Sequence, residues 1–116
     1  MGKIEKFEDI LAWQESRAMV EAVYGLFKNC RDYSFRDQLQ RAVISIMNNI
    51  AEGYERKGNK EFVKFLYIAK GSCAEVRSML YIALTLGYIN NKNFDTYQDK
   101  CLHISSMLSN FIKKLI

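Results

Sequence analysis

Apolar residues return every three or four positions along four separate stretches of the chain, which is the spacing of one face of an α-helix. In the first stretch, roughly residues 9 to 29, Ile10, Trp13, Val20, Tyr24 and Phe27 share a face, while Glu15, Arg17, Glu21 and Lys28 take polar positions. The polar run Asn29-Cys30-Arg31-Asp32 ends it. The second stretch opens at Ser34, whose hydroxyl can accept from first-turn amides while Asp37 reaches back, and runs to about Arg56. Its apolar stripe is Leu39, Ala42, Val43, Ile46, Ile50 and Ala51; a polar stripe of Gln38, Arg41, Ser45, Asn49, Glu52 and Arg56 runs at similar spacing.

The link Lys57-Gly58-Asn59 offers Asn59 as a cap, so the third helix is predicted from about Lys60. It carries Phe62, Phe65, Leu66, Ala69, Cys73, Val76, Leu80 and Ala83, and stops at about Leu86 before Gly87, a natural left-handed terminator. Asn90 or Asn91 can cap a fourth helix in which Phe94, Tyr97, Cys101, Ile104, Leu108, Phe111 and Leu115 recur, with Lys113 and Lys114 in the last turn. Short polar links make successive helices antiparallel. The pattern therefore predicts an all-α fold, an antiparallel up-down-up-down four-helix bundle, as a single domain over residues 1–116.

Composition supports long helices and adds little else. There is no proline among the 116 residues, and proline is the residue that most disrupts a helix interior. Three widely separated cysteines, Cys30, Cys73 and Cys101, fit neither a disulfide framework nor a paired zinc spacing and read as buried small residues in a reducing compartment. No apolar run is long enough to span a bilayer. The start Met1-Gly2-Lys3-Ile4-Glu5-Lys6 lacks the apolar core of a signal peptide, and Lys6 stands where a myristoylation motif needs Ser or Thr. The expected location is the cytoplasm, with no membrane partner.

Catalytic chemistry finds no constellation. His103 is the one histidine, so a di-iron bundle is excluded, since it needs a Glu-x-x-His on each of two helices. Asp99 and His103 share a face at i and i+4, an arrangement more often a local acid beside a surface histidine than a ligand pair. No phosphate-binding glycine loop, nucleophile elbow or metalloprotease motif occurs. Cys73 or Cys101 could act as a nucleophile only beside a base, and His103 is the one to recruit. The expectation is a protein that is not an enzyme, with no cofactor and no metal.

Two features point outward. From Gly53 to Lys70 the chain carries a net charge of +3, with Arg56, Lys57, Lys60 and Lys64 as candidate nucleic-acid contacts; the alternative is an ordinary solvated helix end. The whole chain carries a formal charge of +4. Tyr54, Phe62 and Tyr67 interleave with the cations, but Phe62 belongs to the apolar stripe, so no stacking platform is established. The second feature pairs the polar stripe with Gly71, Ser72 and Glu75. Glycine inside a helix costs about 1 kcal/mol relative to alanine, so Gly71 suggests a close approach by a neighbouring group. If buried, Arg41, Asn49, Glu52, Arg56 and Glu75 must be paired, as they would be at a subunit interface with Gly71 and Ser72; the alternative is an exposed face with i to i+4 bonds.

These residues also form a familiar set. Gln38-Leu39-Gln40-Arg41-Ala42, Ser45-Ile46 and Asn49-Ile50-Ala51-Glu52-Gly53 resemble the signature of the four-helix bundle proteins encoded by 23S rRNA intervening sequences. Phe65-Leu66, Ala69, Gly71-Ser72 and Glu75 resemble that family's third helix, Leu86-Gly87-Tyr88-Ile89 its usual stop, and Phe7, Asp9, Trp13-Gln14 and Val23-Tyr24 its first helix. The resemblance implies a left-handed bundle that assembles into a ring, typically a homopentamer with a central channel, and so favours the interface reading of the polar stripe. A similar bundle, the accessory protein of diversity-generating retroelements, has a basic ring implicated in binding nucleic acid. The resemblance implies no settled activity. The implied partners are further copies of the chain and, through the basic surface, RNA or an RNA-associated protein; a structural adaptor that ignores nucleic acid is the rival reading. The family's usual Ser-Ile-Pro-Ser-Asn is replaced by Ser45-Ile46-Met47-Asn48-Asn49, so a proline kink should be absent or weaker.

Overall fold

The four periodic stretches fold as four helices, α1 (Leu11–Leu26), α2 (Tyr33–Glu55), α3 (Asn59–Thr85) and α4 (Asn91–Leu115), preceded by a 3-10 turn at Phe7–Asp9. The structure is a computed structural model that describes residues 3–116, so the reading of Met1 and Gly2 lies outside it. Among the described residues there is no strand, and no helix is long and apolar enough to cross a membrane.

The first helix is shorter than its periodicity, and at its N-terminal end local side chains claim the backbone. The Asp9 carboxylate accepts from the backbone N–H of Glu5 at 3.0 Å and of Lys6 at 3.2 Å, which holds the segment as a tight turn. Phe7 packs edge-on against Trp13, with ring centroids 5.3 Å apart, and Gln14 Nε2 donates to the Glu8 carbonyl.

The cap of α2 is Asp32, not Ser34. Asp32 Oδ1 accepts from Phe35 N–H at 3.2 Å, and Oδ2 accepts from the Tyr88 hydroxyl at 2.7 Å, so the cap is anchored to the segment after α3. A carboxylate with this second partner displaces a serine hydroxyl two residues later. Asp32→Ala should lower stability by about 0.5–2 kcal/mol, read from chemical denaturation. The bond also pushes the Tyr88 hydroxyl above its ordinary value of 10.0, chiefly through the Asp32 acceptor, with burial adding to it. A group whose pKa is raised by folding gives stability that is present below its unfolded value and is lost as pH rises through the folded one. Tyr88→Phe should therefore flatten the alkaline loss of stability above pH 10.0.

Glycines set two of the remaining junctions. Gly58, at φ +82°, caps α3, while Asn59 is its first residue and sends Nδ2 to the Leu115 carbonyl at 3.4 Å. The expected Asn59 cap is thus replaced by a contact with the end of α4. Gly87, at φ +77°, terminates α3: its N–H donates to Leu84 O at 3.1 Å and Tyr88 N–H to Ala83 O at 2.8 Å, the Schellman pattern. Asn90 caps α4 by accepting from Asn93 N–H at 2.8 Å. Helix α2 runs unbroken through Met47, which keeps the backbone donor that a proline would remove.

The packing is a four-helix bundle of 43 × 24 × 20 Å in which each helix meets two neighbours: α1 lies on α2, α2 on α3, α3 on α4, and α4 returns to α1. The α2–α3 seam is the most extensive and the α1–α4 seam the thinnest. Between the helices Met19, Val23, Leu39, Val43, Ile46, Ile50, Leu66, Val76, Leu80, Ile104 and Leu108 form one buried cluster. The α2–α3 seam is tight at Gly53, where an added Cβ would stand 2.5 Å from Phe65 Cβ and 3.0 Å from Phe62 Cδ1. Between α3 and α4, buried Gln98 exchanges bonds with Arg77: Arg77 Nε donates to Gln98 Oε1 at 3.0 Å, and Gln98 Nε2 donates to the Arg77 carbonyl at 2.7 Å.

Candidate interaction surfaces

The four candidate basic residues fall at one end of the bundle. Arg56 closes α2, Lys57 lies in the link, and Lys60 and Lys64 occupy the first turns of α3; all four are exposed. Two of them have acidic neighbours: Arg56 stands 3.2 Å from Glu52, with its guanidinium 4.9 Å from the Phe65 ring centre, and Lys64 stands 3.1 Å from Glu61. Of the interleaved aromatics, Phe62 is buried and meets Tyr54 and Phe111 edge-on, whereas Tyr67 is 55% exposed. One aromatic is therefore free to stack.

The residues singled out as a subunit interface divide by depth. Ser72 is buried, and its hydroxyl donates to Ser45 Oγ at 2.9 Å, joining α3 to α2. Asn49 is half-buried and donates through Nδ2 to the carbonyl and hydroxyl of Ser45, so these three residues form one bridge across the seam. Arg41, Glu52, Arg56, Gly71 and Glu75 are exposed. Glu52 and Arg56 make the i to i+4 pair of an open face, while Arg41 and Glu75 enter no ion pair among the described residues.

Gly71 behaves differently from its sequence expectation. Among the described residues nothing lies within 4 Å of a Cβ built there, so the close approach is not made from within the chain. The glycine that does admit a close approach is Gly53, whose place inside the Asn-Ile-Ala-Glu-Gly run gave no separate warning. Along its length α3 also exposes Tyr67, Ile68, Tyr81 and Ile82, with Leu86 just past its end, each more than half uncovered. Ile68 and Ile82 each stand one residue before a position of the apolar stripe, Ala69 and Ala83, and so are turned about 100° away from the core, which is the signal that could have marked them. Fourteen residues apart, with Gly71 and Glu75 between them, they lie on one side of α3.

The candidate chemistry disperses. His103 is exposed and, with Glu15, Asp99 and Lys100, borders a shallow groove of the α1–α4 seam; among the described residues no group of three ligands could hold a metal ion. Burial pushes the thiols of Cys73 and Cys101 up to about 12, so both are protonated at neutral pH and inert as nucleophiles. Cys30 is half-buried rather than buried, beside the Asp32 cap.

Fold and surface together define a four-helix bundle whose distinctive features lie on the outside of α2 and α3. The chain belongs to the 23S rRNA-intervening sequence protein family, whose family model matches residues 8–110. A solved structure of similar fold is a protein of unknown function from the S23 ribosomal protein family of Bacteroides thetaiotaomicron; it is 20% identical, with a TM-score of 0.83 over 89% of this chain and 99% of that one. At that identity the likeness speaks for the fold alone. Among curated proteins none matches.

Proposed function

We propose that the chain is a single, non-catalytic cytoplasmic domain, an antiparallel up-down-up-down bundle that assembles with further copies into a ring, most simply a pentamer, and contacts RNA through its basic end. The observation that carries the assembly is the uncovered side of α3: exposed Ile68 and Ile82 flank an open Gly71 and Glu75, and neither Glu75 nor exposed Arg41 of α2 has an ion-pair partner among the described residues. Small residues let a second helix approach closely, the neighbouring apolar groups supply area to bury, and a second molecule can bring the counter-charges. Membership of the family supports the ring.

RNA contact is favoured by the exposed cations at the α2–α3 link, because a phosphate backbone is bound by releasing counterions from it. Binding of a labelled single-stranded RNA, followed by anisotropy, should fall steeply with salt. Replacing Arg56, Lys57, Lys60 and Lys64 together with Gln should weaken it by roughly 10²-fold or more and flatten the salt slope. Tight binding unchanged by the four substitutions would remove this end as the site. An adaptor that binds only protein has its own support in the apolar Tyr67, Tyr81 and Leu86, and predicts no retention of RNA at physiological salt.

A further inference from the structure

We propose that the RNA-contacting surface is shared between two parts of the chain, with Lys57 and Lys60 at the α2–α3 link joined by Lys113 and Lys114 in the last turn of α4. The inference rests on the RNA reading above and changes which cations do the binding. Arg56 and Lys64 each stand beside a carboxylate, at 3.2 Å from Glu52 and 3.1 Å from Glu61, so an approaching phosphate meets a locally neutral pair. Lys57, Lys60, Lys113 and Lys114 are all exposed and enter no ion pair among the described residues. Their charge is uncommitted.

The fold places these four lysines at the same end of the molecule. Asn59, which lies between Lys57 and Lys60, donates through Nδ2 to the carbonyl of Leu115, the residue after Lys114. One turn further in, Phe62 of α3 meets Phe111 of α4 edge-on at 5.3 Å, so the core as well as the surface bond holds the two helix ends together. Lys3 borders the same groove as Lys114 and extends the positive rim toward α1. The carboxylates nearby are Glu52 and Glu61, paired with Arg56 and Lys64, Glu55, exposed and without an ion pair among the described residues, and those of the N-terminal segment, of which Asp9 is engaged by two backbone amides.

The four lysines stand out on open surface at the ends of two helices, which argues against a small enclosed anion and for a ligand that repeats its charge. A phosphodiester backbone does so, and separate ammonium groups can each take one phosphate. Lys113 and Lys114 also offset the dipole at the end of α4, but that role involves no ligand and no salt-dependent affinity.

The test is the salt dependence of binding of a fluorescein-labelled single-stranded RNA by the whole chain. Lys113→Gln with Lys114→Gln should weaken binding about tenfold and lower the slope of log affinity against log salt by roughly 0.7 for each phosphate no longer neutralised. Lys57→Gln with Lys60→Gln should do the same, Arg56→Gln with Lys64→Gln should do less, and the charge-keeping Lys113→Arg with Lys114→Arg should restore wild-type binding. A wild-type slope in the Lys113→Gln, Lys114→Gln variant would overturn this inference and leave the RNA reading standing. Absence of RNA binding by the unaltered chain would overturn both.

Discussion

Gly53→Ala is expected to destabilise the fold by about 1–3 kcal/mol, whereas Gly71→Ala should stabilise the isolated chain by up to about 1 kcal/mol. Both glycines sit inside helices, and on intrinsic helix propensity alone alanine would be the better residue at each. The neighbours decide the sign. At Gly53 a methyl group would meet Phe65 Cβ at 2.5 Å, and a Cβ cannot swing away as a side-chain tip can, so α2 and α3 must separate. At Gly71 nothing lies within 4 Å. Thermal or urea unfolding of the two variants under conditions that keep the chain monomeric checks the contrast. Under conditions that permit assembly, Gly71→Ala should weaken association, because the added methyl keeps an incoming helix at a distance.

A second pair of neighbours should separate core from surface in the same way. Leu66 has no exposed area, and Leu66→Ala should cost about 2–5 kcal/mol, the transfer term of the deleted methyl groups plus the cavity left behind. Tyr67, the next residue, is 55% exposed, with the Lys70 ammonium 5.9 Å from its ring centre, and Tyr67→Ala should leave the unfolding free energy within about 0.5 kcal/mol. Its effect should appear instead in binding, as weaker RNA retention if the ring stacks on a base, or as weaker assembly if it packs on a second copy. Denaturation of both variants, with binding measured in parallel, distinguishes these.

The helices were legible because each is amphipathic over many turns, and a period sustained for four or more turns outweighs any single residue. Their ends were less so, since capping is decided by contacts that are distant in sequence. Asp32 outcompetes Ser34 because Tyr88 comes to meet it, and Asn59 leaves its cap because the end of α4 lies within reach. The two glycines show the same limit. A glycine inside a helix announces a reason without saying whether the reason is inside the chain, as at Gly53, or absent from it, as at Gly71.

The candidate surfaces were partly readable. Charge density along the chain marked Arg56, Lys57, Lys60 and Lys64, but not that Glu52 and Glu61 pair with two of them, nor that Lys113 and Lys114 arrive from the other end of the sequence. Motif resemblance marked Ser72 and Asn49, which the fold binds together through Ser45. It also marked Arg41 and Glu75, which are exposed and unpaired among the described residues. Water satisfies both charges on the single chain, and a second copy that covered them would have to supply their counter-charges, which is what makes them probes of assembly.

Assembly is therefore best tested by the mass of the chain in solution, measured by light scattering over a range of concentrations. The expected result is a multimer near five times the 13.5 kDa of one chain, stable to dilution and weakened by Arg41→Ala or Glu75→Ala. A particle of 13.5 kDa at every concentration would contradict it, returning Gly71 and its neighbours to solvent.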